Sequence, residues 1–345
     1  MIKTIPTGHE PLRVSRRLAL SAGLALAGSG LAFGAKAQTA AQALDVWSPK
    51  ATVRMVVPFA AGGTSDIVAR LLATRLAEAL GQPVIIENRA GAGGNIGIAS
   101  VARAASDGLT LLLASSSFVT NPALHPDKRP YEPIEQFAPI SLLVTSPDVI
   151  VVPAKSAITS LADLLAVART QTGGLDYATP GNGNSVHLGG ELLWQRADVR
   201  MMHVPYSGAA PAVQAALAGQ VDCALVALPA ASPYLAAKTL RALAVGSTRR
   251  WAELAQVPTV AESGFPGYRS ETMQALFAPA GTPAAVVSRL NAEVTRILGV
   301  PAIQARLHAL GFDVIASTPA FLAARVAEEV PRWTAVAAQA NIRAD

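Results

Sequence analysis

A chain with one cysteine, Cys223, forms no internal disulfide, and the five histidines are scattered without an H-E-x-x-H or Cys-rich spacing, which argues against a bound metal. Charged residues make up only 15% and aromatics only 5% of the 345 residues, and no basic stripe with interleaved aromatics is present, so nucleic acid is excluded as a partner. Nucleotide motifs are missing too. There is no G-x-x-x-x-G-K-S/T loop, and Gly91, Gly93 and Gly97 are spaced G-x-G-x-x-x-G instead of as a dinucleotide fingerprint. A G-x-S-x-G nucleophile elbow is also lacking. Cys223 lies in the apolar run Val221 to Val226 and reads as a small core residue.

What the chain does have begins with an address. Lys3, Arg13, Arg16 and Arg17 precede a stretch from Leu18 to Ala35 without a charged side chain, and Ala35-Lys36-Ala37 then offers the small-x-small pattern of a signal peptidase site. Residues 1–37 are therefore expected to be a cleaved signal peptide, with mature protein starting near Gln38 or, alternatively, after Ala43, in the periplasm. Glycine and serine dilute the apolar stretch too much for a stable membrane anchor. Arg16-Arg17 fits either a twin-arginine or an ordinary Sec leader. Residues 1–37 hold five Lys or Arg and one acid, so the remainder carries a formal +1 instead of the +5 of the whole chain.

The remaining 300 or so residues suffice for two cores. Short apolar runs (53–58, 84–87, 110–114, 140–144, 149–152, 176–179, 201–204, 223–227, 240–246 and 275–278) alternate with amphipathic segments such as 65–80 and 160–168. That order predicts an α/β fold of mostly parallel sheets flanked by helices, in two lobes. From Pro279 onward the pattern is helical, with starts near Pro283, Pro301 and Pro319. Thr145-Ser146-Pro147-Asp148 separates two apolar runs without an intervening helix, and Gly264 to Tyr268 offers a second crossing. The expected organisation is lobe 1 from 50–147 plus 269–345 and lobe 2 from 148–268.

Three glycine loops follow predicted strands. Pro58-Phe59-Ala60-Ala61-Gly62-Gly63-Thr64-Ser65-Asp66 opens a helix, as does Thr179-Pro180-Gly181-Asn182-Gly183-Asn184-Ser185-Val186-His187. Such junctions aim backbone N–H groups at an anion. Asp66, in a first turn, suits a helix cap or dipole partner as well as a ligand contact, and a lone His187 suits a structural hydrogen bond. The candidate ligand-binding set is Phe59, Gly62, Gly63, Thr64, Asp66, Ser115, Ser117, Thr179, Gly181, Asn182, Gly183, His187 and Tyr206, acting mainly through backbone N–H groups and neutral side chains on a carboxylate. Arg89, in the second loop from Asn88 to Gly97, reads as structural.

Together these segments resemble the solute receptors of tripartite tricarboxylate transporters, the Bug-type receptors. Pro58-Phe59-Ala60-Ala61-Gly62-Gly63 through Asp66 and Ala69-Arg70 matches P-F-x-x-G-G-x-x-D-x-x-A-R. Glu87-Asn88-Arg89 with Gly91 to Gly94, Asp107-Gly108, His203-Val204-Pro205-Tyr206, Val257 to Glu262 and Phe277 to Pro283 follow in order. Ser207 stands where that family usually has lysine, and Met273 where it often has tryptophan. The resemblance implies a type II-like periplasmic-binding-protein fold with a ligand cleft between lobes. It implies a monomeric receptor, without cofactor or catalysis, that delivers a small carboxylated metabolite to a membrane transporter by transient docking. A same-fold receptor feeding a sensor kinase is the alternative, and a hydrolase or isomerase using Asp66 and His187 is a remote one.

Overall fold

The computed structural model describes residues 47–125 and 129–343, so the expected signal peptide lies outside the described residues. Elements in chain order are β1 (Val53–Val57), α1 (Thr64–Leu80), β2 (Val84–Asn88), a 3-10 turn (Ala92–Gly94), α2 (Asn95–Ala102), β3 (Thr110–Ser115), α3 (Ser117–Leu124) and β4 (Phe137–Pro153). Then come α4 (Leu161–Thr170), β5 (Leu175–Thr179), α5 (Ser185–Ala197), β6 (Met201–Pro205), α6 (Ala209–Ala218), β7 (Cys223–Ala227), α7 (Leu228–Ala236) and β8 (Leu240–Val245). The chain ends with β9 (Glu271–Pro279), α8 (Ala284–Leu298), α9 (Pro301–Ala309), β10 (Asp313–Val314) and α10 (Pro319–Gln339).

Two predicted strands, 140–144 and 149–152, are one. β4 runs for 17 residues through the expected lobe boundary, pairing with β9 from Phe137 to Pro147 and with β7 and β8 from Asp148 onward. Thr145 to Asp148 is thus strand and not a connecting loop. Pro147 causes no break, since proline lacks an N–H but keeps a strand-compatible φ. Among the named strands, parallel pairing is confined to β2-β1-β3 and to β6-β5-β7, while β9, β4, β8 and β10 pair antiparallel with one another or with those sets, so the sheets are mixed. The helical reading of the C-terminal segment holds for α8, α9 and α10, interrupted only by the two-residue β10 against β4.

Register dictates where a site can form. β3 is antiparallel to β9 and β9 to β4, so β3 and its parallel neighbour β1 run in the same sense as β4, towards the second half of the sheet. β7 is antiparallel to β4, and β5 and β6 are parallel to β7, so all three run back towards the first half. The carboxyl ends of both parallel sets therefore face each other across the crossing. In open α/β sheets those ends are where ligands bind.

Three apolar clusters hold the layers. One fills one face of the first half-sheet, joining Met55, Leu111, Leu113 and Leu276 to Leu72 of α1 and Leu290 of α8. Another packs Val149, Ala224 and Val226 beneath Val213 of α6 and Ala231 of α7. The third runs under both halves, joining Leu112 and Phe277 to Tyr177, Leu225 and Trp333 of α10. Cys223 belongs to it, fully buried, and burial pushes its thiol pKa up, as befits an inert core residue.

Candidate functional site

The first loop is built from its own acid. Asp66 is 2% exposed, accepts the Gly62 N–H at 2.9 Å and the Asn88 amide at 3.1 Å, and takes Arg70 through two bonds at 2.7 and 3.1 Å. Burial alone would favour the neutral acid, but Arg70, the Gly62 N–H and Asn88 outweigh it and hold the carboxyl below its usual range. Asn88 also donates to the Phe59 carbonyl at 2.9 Å. Asp66 therefore pins the loop 59–62 to α1 and β2, and its charge is spent inside the protein. α1 begins at Thr64 after the N-cap Gly63, which supplies no side-chain cap and leaves N–H groups of the first turn pointing out of the helix end.

Beside this helix end, Ser115 closes β3 and Ser117 opens α3, their hydroxyls 3.1 Å apart. The second glycine loop wedges against them. A Cβ on Gly94 would lie 3.3 Å from the Phe59 ring and 3.5 Å from Ser117 Oγ, so Phe59, Ser117 and the 3-10 turn are mutually packed. Gly97 permits a still closer approach, because a Cβ there would sit 2.8 Å from the Arg89 carbonyl and 2.9 Å from Pro58 Cα. Arg89 pairs with Glu87 at 2.6 Å, in agreement with a structural role.

The second half contributes a buried polar cluster. His187 Nδ1 accepts the Gly183 N–H at 2.9 Å, which puts the ring proton on Nε2, 3.8 Å from Glu191. His203 stacks on His187 with ring centroids 3.6 Å apart and shares a 2.7 Å hydrogen bond with Thr179 Oγ1. That hydroxyl also bonds both ends of Gly181, at 3.0 Å to its carbonyl and 3.3 Å to its N–H. The Tyr177 hydroxyl donates to Glu191. Desolvation depresses both imidazoles, His187 to about 3 with help from the neighbouring ring and His203 to about 4, so the pair is neutral. Burial raises Glu191 as well, against the pull of the Tyr177 bond.

Across the gap the halves touch. Gly183 has φ +70°, and a Cβ on it would fall 2.3 Å from Leu124 Cδ1 at the end of α3. An L side chain there is strained by the positive φ and requires the Leu124 side chain to shift. Register and this contact bring together Phe59, Gly62, Gly63, Thr64, Ser115 and Ser117 from one side with Thr179, Gly181, Asn182 and Gly183 from the other. Tyr206 sits on the same rim by backbone, its N–H bonded to the Thr179 carbonyl at 3.0 Å, while its side chain packs on the α6–α7 core. Three expected donors, the N–H groups of Gly62, Gly181 and Gly183, are engaged by Asp66, Thr179 and His187. Those glycines shape the loops more than they offer hydrogen bonds. A cavity of about 570 Å³ lined by Glu253, Pro301, Gln304, His308 and Phe312 includes none of these residues.

Residues 68–342 match the tripartite tricarboxylate transporter family receptor. The chain belongs to that family. It is 35% identical to protein BugT of Bordetella pertussis over 93% of this chain and 96% of that one. A Rhodopseudomonas palustris protein solved with adipate superposes at TM-score 0.79, with 35% identity over 86% of this chain and 99% of its own. MatC from Rhodopseudomonas palustris, solved with bound malate, superposes at TM-score 0.76, with 36% identity over 84% of this chain and 99% of its own. The receptor family is one of solute-binding proteins and not of enzymes, and the two-lobed α/β fold is theirs. This disposes of a hydrolase or isomerase. Asp66 is locked to Arg70 and His187 to Gly183, so neither is poised as a general base.

One polar residue of this region escaped the sequence reading. Gln274 of β9 lies opposite Ser115 of β3 and is 1% exposed. The apolar run read from the sequence, 275–278, stops one residue short of it, and only the register with Ser115 places it at the site.

Proposed function

We propose that this receptor captures a small carboxylated metabolite in the periplasm, after loss of residues 1–37, and hands it to a membrane transporter. The observation that carries the reading is that two proteins of the same family and fold hold adipate and malate. The converging loops supply suitable chemistry: the uncapped start of α1, the hydroxyls of Ser115 and Ser117, and Asn182. Hydrogen bonds to a charged group contribute roughly 1.5–3 kcal/mol each. Four or five could therefore approach micromolar binding, about 8 kcal/mol, after losses to ordering. No free cation is needed in the loops, since Arg70 and Arg89 are already paired with acids.

Closure would rotate lobe 1 (50–147 with 269–345) against lobe 2 (148–268) about β4 and the segment entering β9. α10 would be carried along, because Arg269 beside β9 pairs with Glu328 and Glu329 of α10 at 2.9 and 2.7 Å. The test is mass spectrometry of ligand released from freshly purified, denatured protein, followed by calorimetry with the compound found. A carboxylate that rebinds and shrinks the radius of gyration in solution scattering supports the reading. A ligand without a carboxylate refutes it. N-terminal sequencing of exported protein checks the leader, and Met1 on exported material contradicts cleavage.

A further inference from the structure

Gln274 is the anomaly. Both its amide oxygen and its amide nitrogen are buried, and neither has a hydrogen-bond partner among the described residues. A buried primary amide without partners is costly, and such groups in native proteins call for an explanation. Its place supplies one. On β9 the side chains of Leu276 and Ala278 join Leu111 and Leu113 of β3 in the cluster beneath α1, while Met273, Ala275 and Phe277 belong to the opposite face. By the two-residue alternation of a strand, Gln274 shares the α1 face, as does Ser115. Ser115 and Gln274 are register partners, which puts their Cβ atoms about 4.5–5.5 Å apart. The amide therefore lies at the carboxyl end of β3, beside the Ser115–Ser117 hydroxyl pair and on the side of the sheet where α1 begins.

Resting on the carboxylate-receptor reading, we propose that Gln274 is the specificity-determining residue of this site and reads a hydroxyl on the ligand next to its carboxylate. The chemistry follows from what an amide offers. Nε2 donates and Oε1 accepts, so a bare carboxylate, which only accepts, satisfies one of the two atoms and opposes the other. An α-hydroxy acid presents a carboxylate oxygen to Nε2 and a hydroxyl hydrogen to Oε1. An α-amino acid would present an ammonium instead, and Asp66, the acid of the first loop, is already committed to Arg70 and the Gly62 N–H. The hydroxylated class fits best.

Calorimetry on protein freed of co-purified ligand tests this with matched pairs: lactate and propionate, malate and succinate, 2-hydroxyglutarate and glutarate, 2-hydroxyadipate and adipate, with aspartate and glutamate as amino counterparts. Wild type should bind the hydroxylated member of its best pair at least about tenfold more tightly than the parent, since a site built to bond a hydroxyl discriminates against its loss. Gln274→Leu and Gln274→Met should retain the parent acid and lose the preference. Both variants remove buried unpaired polar atoms, so their melting temperature should hold or rise, and either one suffices if the other misfolds. Wild type that prefers parent or amino acids overturns the proposal, as do variants that weaken both members alike or leave the ratio unchanged. The last result would mean that the amide only holds a buried water. If no carboxylate binds wild type, the receptor reading itself has failed and this one falls with it.

Discussion

The stacked imidazoles make the protein acid-labile in a way that one substitution can diagnose. Unfolded histidine titrates near 6.5, while His203 is depressed to about 4 by burial and His187 to about 3. Because the folded pKa values are lowered, the unfolded chain binds more protons between about 4 and 6.5, and stability falls as pH drops through that window. At pH 5 each unfolded ring is protonated and each folded ring is not, which costs about 2 kcal/mol per histidine relative to pH 7.5. Asp148 works in the opposite sense. It is 5% exposed, and burial, together with the nearby Glu271 charge, raises it to about 6 despite bonds from Ser270 at 2.5 Å and Thr272 at 2.9 Å. Its folded pKa exceeds the unfolded 3.8, so it contributes stability below that value that is lost as pH rises through 6, returning about 1 kcal/mol at pH 5. The two rings and Asp148 together should give a loss of about 3 kcal/mol between pH 7.5 and 5, reduced by whatever the raised Glu191 returns. His203→Gln can keep an amide at the position of Nε2, facing Thr179, while removing a titrating ring. Urea unfolding at pH 7.5 and 5 should then show a loss smaller by at least about 2 kcal/mol than in wild type. An equal loss in the two proteins would refute the claim that these rings are held neutral.

Asp148→Asn should raise stability at pH 7.5 by up to about 3 kcal/mol and steepen the loss of stability between pH 6 and 4, because the group that offsets the histidines is gone, as read by urea melts across that range. Gly183→Ala should destabilise by at least about 1–2 kcal/mol, since φ +70° penalises any L side chain and the new Cβ meets Leu124; Leu124→Ala should relieve only the steric part, which a double-mutant cycle separates. Asp66→Asn should cost about 1.5–3 kcal/mol and weaken ligand binding by freeing the loop 59–62, whereas Arg89→Ala, which breaks a half-exposed pair with Glu87, should cost under about 1 kcal/mol and leave binding intact; melting curves and calorimetry on both variants check this.

Which parts of this protein were legible in advance follows from how local the governing physics is. Strand and helix segments were readable because apolar period and proline or glycine punctuation act within ten or so residues: α1 begins at Thr64 and α10 at Pro319, where the chain signals them. β4 was misread as two strands because Thr145, Ser146 and Asp148 are polar in sequence but buried in the fold, the Asp148 carboxylate being satisfied by Ser270 and Thr272, more than a hundred residues away. No local pattern encodes that compensation. The same limit governs the site. Glycine loops after strands identified the two facing rims, yet the sequence offered their N–H groups as free donors, when Asp66, Thr179 and His187 take three of them. Gln274 shows the converse. Four residues from Ala278 in an apolar strand, it carries no motif, and its meaning arises only from antiparallel register with Ser115 and from the burial of an amide that nothing else in the described fold satisfies. A loop motif therefore marks the facing ends of the two half-sheets, while the residue we propose as the discriminator among ligands is set by long-range pairing at the floor of the sheet.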